Sequence, residues 1–153
     1  MSAVLDTQPQ FRPMRSDDLE RVMQIEPHLY SHPWTRGNFA DSLDAGYSCW
    51  VIERGHELIG YGVLMVGVRE AHLLNISISE EWQAKGYGRA FLEHFIAVAR
   101  HYDAEHLLLE VRPSNLAARR LYARMGFGEM TVRRGYYPAG GAREDAILMG
   151  LPL

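Results

Sequence analysis

The spacing of hydrophobic positions changes along the chain, and each change marks an element. After a loosely structured start over about residues 1–9, residues 10–14 read as a short strand. Ser16 then has the character of a helix N-cap, with Asp17 and Asp18 at the positive end of the helix dipole. Leu19, Val22 and Met23 supply one apolar stripe, and Pro27 ends or bends that helix. Thr35 is a second N-cap candidate. Trp34 before it and Phe39 after it have the spacing of a hydrophobic staple, which predicts a helix over 36–43.

Alternation takes over next. Residues 47–53 and 58–68 read as strands around the turn signal Arg54-Gly55-His56, and the pattern continues through 72–78. Three antiparallel strands with short connections are the economical arrangement. From 86 to 100 the period lengthens: Tyr87, Phe91, Phe95, Val98 and Tyr102 recur at three to four residues, one buried helical face. His106–Val111 is almost continuously apolar, as in a strand covered on both sides. A short helix over 117–125 closes on Gly126, and strands over 129–134 and 142–151 finish the chain. The order is mixed α/β, with an antiparallel front and a strand–helix–strand middle.

Composition narrows the class. A chain of 153 residues buries roughly two-thirds of its unfolded surface, enough for one ordinary core. Its 47% hydrophobic and 23% charged residues are those of an average globular protein. The longest apolar stretch, residues 58–68, is far shorter than the roughly 18 residues of a membrane span. The first ten residues carry no basic lead-in and no long apolar run, so no secretory signal is expected. Cys49 is the one cysteine; it reads as structural, and the lack of a partner fits a reducing cytoplasm. Sixteen Lys and Arg against 19 Asp and Glu give a net charge of -3, so general nucleic-acid binding has no electrostatic support. His28 and His32 are four apart, but Pro27 and Pro33 interrupt any shared helix, and no metal is expected.

Candidate chemistry concentrates in one segment. Leu74-Asn-Ile-Ser-Ile-Ser-Glu-Glu-Trp-Gln-Ala-Lys-Gly-Tyr-Gly-Arg-Ala90 runs from a strand through a Gly-punctuated loop into an amphipathic helix. Such a loop presents backbone N–H groups that no helical carbonyl accepts, at the positive end of a helix dipole. Lys85 and Arg89 add positive charge, so a phosphate or pyrophosphate is the natural occupant. The P-loop pattern fails because Lys85 precedes its glycine and no hydroxyl follows. The dinucleotide fingerprint fails because its third glycine position is Phe91. On spacing alone, a plain Gly-containing turn before a helix remains the alternative.

Gln83-Ala-Lys-Gly-Tyr-Gly88 resembles the Q/R-x-x-G-x-G/A signature of the GNAT acyltransferase superfamily. The stretch from Asn115 to Phe127 resembles its pattern N-x-x-A-x-x-L-Y-x-x-x-G-F, in the correct order and spacing. The resemblance runs from about Phe11 onward. It implies a single domain over residues 1–153, with a mixed, mostly antiparallel twisted sheet of about six to seven strands flanked by about four helices. It also implies acetyl-CoA as co-substrate. Gln83, Ala84, Lys85, Gly86, Tyr87, Gly88 and Arg89 would cradle the pyrophosphate. Backbone groups of Ile76, Ser77 and Ile78 would hold the acetyl and pantetheine parts, and Asn115 would also bind the co-substrate.

Within the superfamily, Glu110, Asn115, Tyr122, Arg133-Arg-Gly-Tyr-Tyr-Pro138 and Arg143-Glu-Asp-Ala146 resemble the bacterial ribosomal-protein-alanine N-acetyltransferases. So do Ile25-Glu26 and Pro33-Trp34-Thr35. That group acetylates the N-terminal alanine of a small-subunit ribosomal protein. Its Gly-loop usually has Arg and Gln around the first glycine, where this chain has Ala84 and Lys85. The resemblance assigns Glu110 as general base and Tyr122 as acid toward the departing thiolate. Glu26, Trp34, Tyr136 and Tyr137 become candidates for the acceptor peptide, with Glu26 attracting its basic residues. Roughly a quarter of a free α-amine is neutral near neutral pH, against about one part in a thousand of a lysine, so an N-terminal acceptor demands less of its base. Expected partners are the N-terminus of a basic ribosomal protein, no membrane and no nucleic acid, in a cytoplasmic monomer or weak oligomer.

Plainer readings stay open at this stage. Tyr122 also suits a core tyrosine, Glu110 a strand-end ion pair, Glu26 a partly exposed edge residue and Trp34 a simple staple. An enzyme acting on lysine or a small amine, a non-catalytic acyl-CoA-binding module, and RNA contact through Arg119-Arg120 and Arg133-Arg134 are the competing functions.

Overall fold

The structure, a computed structural model, describes residues 8–139 and 142–153; the loose start expected over residues 1–9 lies outside them up to residue 7. The elements are β1 (Gln10–Pro13), α1 (Leu19–Leu29), α2 (Arg36–Asp44), β2 (Ser48–Arg54), β3 (Glu57–Val66), β4 (Glu70–Ile78), α3 (Tyr87–His101), β5 (His106–Val111), α4 (Leu116–Arg124), β6 (Gly128–Ala139) and β7 (Ala142–Pro152). Seven strands and four α-helices form the mixed sheet fold anticipated from the sequence. Contacts group the chain into two units, with β4 and α3 each contributing residues to both.

The first unit runs through Met65 and takes in Asn75–His94. Its strands follow the order β1-β2-β3-β4. β1 pairs antiparallel with β2 from Gln10–Glu53 to Pro13–Trp50, and β2 pairs antiparallel with β3 around Gly55, whose φ of 63° suits the tight turn. Val51, Ile52, Ile59, Tyr61, Val63, Phe39 and Phe91 are fully buried. Thr35 caps α2 as expected: its hydroxyl accepts from the Asn38 N–H at 3.1 Å while Asn38 Oδ1 accepts from the Thr35 N–H at 2.9 Å. The Trp34 and Phe39 rings lie 5.0 Å apart, completing the staple.

The start of α1 differs from expectation. Ser16 caps nothing; it opens a short 3₁₀ turn, Ser16–Asp18, and the carboxylate of Asp18 accepts from the Arg15 N–H at 2.8 Å. A buried carboxylate wins the position because Arg12 at 2.7 Å and Arg21 at 2.9 Å compensate its charge. Burial pushes the Asp18 carboxyl up, but the hydrogen bonds from Arg12, Arg15 and Arg21 outweigh it and hold it well below the usual range. Its stabilisation is therefore present above the ordinary carboxylate value and is lost as pH falls toward the lowered one. Pro27 does not end α1, which continues to Leu29.

The second unit comprises Val66–Leu74 and Phe95–Leu153, with strand order β4-β5-β7-β6. β4 pairs parallel with β5 from Glu70–His106 to Leu73–Leu109; β5 and β6 each pair antiparallel with β7. Leu107, Leu108, Leu109 and Val111 are buried, as the apolar run predicts. β6 is longer than its predicted 129–134. Gly135, at φ 60°, absorbs an irregularity between Arg133 and Tyr137, and its N–H donates to Asp145 at 2.8 Å, so the strand continues past it. The buried face of α3 is also turned from expectation: Phe91, Leu92, Phe95, Ile96 and Ala99 are buried, while Tyr102 lies beyond the helix and is 53% exposed.

Candidate active site

In the first unit the Gly-loop joins the Glu80–Trp82 turn to α3. The first bond into the helix runs from the Ala90 N–H to the Gly86 carbonyl at 3.1 Å, which leaves the N–H groups of Tyr87, Gly88 and Arg89 without a helical acceptor. Gly86 has φ 89°, and a Cβ there would meet open space. Ala84 holds φ 59° with a side chain attached, at a cost of about 1–2 kcal/mol. Lys85 places Nζ 5.2 Å from the Trp82 ring centre, and Tyr87 meets the same ring edge-on. The buried Trp82 Nε1 has no hydrogen-bond partner. Arg89 shares its charge with exposed Glu93 at 3.1 Å. Unpaired N–H groups at a helix start, an open glycine and a nearby lysine fit a pyrophosphate.

The loop is tied to the end of β4. Gln83 Nε2 donates to the Ile78 carbonyl at 2.9 Å, and the Ser79 N–H donates to Ile59 of β3 at 2.8 Å. Ser77 is buried; its hydroxyl meets Tyr30 at 2.7 Å and Asn75 at 2.8 Å, and the Tyr30 hydroxyl also reaches the Ile76 carbonyl at 3.4 Å. Tyr30 was not foreseen as part of this segment; its single position after α1 gives no period to read.

Glu26 corrects an expectation. It is 1% exposed, with Oε1 accepting from the Tyr61 hydroxyl at 2.7 Å and Oε2 from the Trp34 N–H at 2.9 Å. It is therefore neither an edge residue nor a surface charge for a basic peptide; it holds the backbone of Trp34. Glu26→Gln keeps only one acceptor for these two donors. The expected outcome is a loss of about 1–3 kcal/mol in denaturant unfolding, with acetyl-CoA affinity unchanged. A variant as stable as the parent would show that the two bonds contribute nothing. A separate cavity of about 480 Å³, lined by residues such as Ile25, His28, Leu29, Glu80 and Glu81, includes none of the predicted site residues.

The second unit carries the predicted acid and base. Glu110 is near the end of β5 with its side chain 12% exposed. His72 Nε2 stands 3.7 Å and Arg133 3.8 Å from Oε1, while Oε2 is buried and has no hydrogen-bond partner. Register explains the meeting: His72 pairs with Leu108, so it shares a face with Glu110 two residues on. Tyr137 is pushed up to about 12 by burial, the Glu110 charge and Tyr136, against the pull of Arg112 and Arg133. Arg112 lies 4.4 Å over the Tyr137 ring, and Arg133 5.2 Å over the more exposed Tyr136. The two tyrosine rings are 5.0 Å apart.

Tyr122 is placed by the end of α4. The Phe127 N–H bonds to the Tyr122 carbonyl at 3.0 Å and the Gly126 N–H to Ala123 at 3.1 Å, a Schellman closure made accessible by φ 101° at Gly126. The Phe127 ring packs 5.7 Å from that of Tyr122, which is 8% exposed. The spacing from Tyr122 to Phe127 is thus a helix stop that orients the phenol. Asn115 caps the other end of α4, accepting from the Ala118 N–H at 3.3 Å. Glu144 secures the preceding loop through the Ser114 N–H at 3.0 Å, its hydroxyl at 3.0 Å and Arg112 at 3.3 Å. His72 was missed, and Glu144 carried no role of its own in the tail motif, because only the packing of distant segments gives either side chain its partner.

Comparisons with known proteins show the family and the fold. The Acetyltransferase (GNAT) family model matches residues 17–127. The [ribosomal protein bS18]-alanine N-acetyltransferase of Escherichia coli K12 is 37% identical over 140 residues, 92% of this chain and 95% of that one. Its namesake in Haemophilus influenzae is 34% identical over 133 residues, 86% of this chain and 90% of that one. The crystal structure of the ribosomal-protein-S18-alanine N-acetyltransferase from E. coli superposes with a TM-score of 0.88 at 36% identity, covering 95% and 94% of the two chains. The chain belongs to the GNAT acetyltransferase family.

Proposed function

We propose that the chain is an acetyl-CoA-dependent N-α-acetyltransferase acting on the N-terminal alanine of a small-subunit ribosomal protein, in the cytoplasm where such proteins are made. The observation that carries the chemistry is Glu110, a largely buried carboxylate whose buried Oε2 has no hydrogen-bond partner. The acceptor rests on the name shared by relatives that span nearly the whole chain. Their coverage of both units supports reading residues 1–153 as one catalytic domain.

The roles follow from the residues. Gln83 to Arg89 bind the pyrophosphate through backbone N–H groups and Lys85, and Ile76 to Ile78 and Asn115 hold the rest of acetyl-CoA. The co-substrate supplies an activated acyl thioester. Glu110 Oε2 takes the proton that the attacking amine must lose, directly or through a water. The Tyr122 phenol, ordinarily near 10, donates toward a thiolate ordinarily near 8.5 and stabilises its charge. Trp34, fixed through Glu26, and the Tyr136–Tyr137 pair bind the acceptor peptide. Direct attack needs no enzyme nucleophile, and buried Cys49, raised to about 11 by desolvation, is unsuited to be one.

Intact-mass analysis of two synthetic peptides tests the proposal. One begins with free alanine; the other has that amine blocked and an internal lysine exposed. One added acetyl group on the first peptide alone is the expected result. Transfer to the blocked peptide would replace the N-terminal acceptor with a lysine, and transfer to neither would remove the protein substrate from the proposal.

A further inference from the structure

We infer that His72 is a positioning residue that keeps Glu110 competent and, by taking a proton, sets the acid limit of the reaction. The inference rests on reading Glu110 as the base. Two groups flank Glu110 Oε1, His72 at 3.7 Å and Arg133 at 3.8 Å, both beyond hydrogen-bond reach, and the buried Oε2 has no hydrogen-bond partner. Oε1 thus has two side chains packed against it, and the buried Oε2 is the oxygen that can accept the amine proton. The Arg133 side chain is 52% exposed and that of His72 only 23%, so the imidazole is the more confined of the two neighbours.

The charged groups facing the imidazole are Glu70 on β4, Glu110 on β5 and Arg133 on β6. Burial lowers the imidazole below its usual value, and the Glu110 charge only partly restores it. A neutral ring therefore stands beside Glu110 at physiological pH. When the ring is protonated, a cation 3.7 Å from Oε1 favours the ionised carboxylate and weakens it as a base. Neither a purely structural histidine nor one that only fills space would couple to turnover this way.

The test measures kcat against pH, from about 5.5 to about 8.5, with saturating acetyl-CoA and the alanine-initiated peptide. His72→Gln puts a non-titrating amide nitrogen near the place of Nε2. It is expected to retain kcat within about threefold at the alkaline end and to move the acid limb down by about half a unit or more. His72→Ala, which removes the side chain packed against Oε1, is expected to lose about tenfold in kcat with the KM for acetyl-CoA unchanged. Both variants tracing the parent profile, or scaling it by a constant without moving the limb, would overturn the inference. Glu110→Gln in the same assay separates the two readings: full turnover there removes Glu110 as base, whatever the histidine variants do.

Discussion

Glu110→Gln is expected to lower kcat by about 10²–10³-fold near pH 8 while acetyl-CoA affinity changes less than about twofold. The amide matches the carboxylate in size and keeps an acceptor toward His72 and Arg133, so packing at the end of β5 is preserved. What it loses is basicity. Oε2 is a buried acceptor without a partner, an expense that folding alone does not explain. If Glu110 served only as an ion-pair partner for Arg133 at 3.8 Å, the loss would be no more than about 1 kcal/mol of stability and turnover would persist. Steady-state kinetics alongside thermal unfolding tell these apart: unchanged melting with collapsed kcat supports the base, and unchanged kcat eliminates it.

Gly60→Ala carries the second large effect, and it acts through packing. Gly60 lies in the buried middle of β3, where a Cβ would overlap the backbone carbonyl oxygen of Ser77 and come within 2.8 Å of Ile78 Cδ1 and 3.3 Å of Ile52 Cγ2. Backbone is the obstacle, so no rotamer change relieves it. Overpacking of this kind costs about 1–3 kcal/mol, or a fall of several degrees in melting temperature for a chain this long. Part of the strain is released by moving Ser77 and Ile78, the segment proposed to hold the acetyl and pantetheine parts. The KM for acetyl-CoA is therefore expected to rise several-fold together with the loss of stability. Gly128→Ala is the control, since a Cβ at Gly128 meets nothing within 4 Å and the change should stay within about 0.5 kcal/mol. Equal melting temperatures for the two variants would show that β3 and β4 are not locked at Gly60.

Local signals in the sequence were sufficient wherever the physics is local. Thr35 caps α2 because its hydroxyl and Asn38 satisfy each other across three residues, and the Trp34–Phe39 staple needs only the same turn. The apolar run His106–Val111 became a buried strand because no solvated face was available to its side chains. The Gly-loop and the Tyr122–Phe127 stop were legible for a like reason: a helix start with free N–H groups and a Schellman closure are written within about six residues.

Partnerships across elements were not written there. Ser16 lost its predicted cap to Asp18 because Arg12 and Arg21, on two other elements, made a buried carboxylate the better choice. Glu26 falls on an apolar stripe, and nothing near it in sequence announces that Tyr61, 35 residues away, would receive it in the core. His72 and Glu110 are 38 positions apart and meet only because β4 pairs in parallel with β5 in one register. The sequence by itself therefore determined most of the elements, the Gly-loop before α3 and the family. Tertiary structure decided which polar side chains are buried and what each faces, because those outcomes depend on strand register and burial between segments distant along the chain.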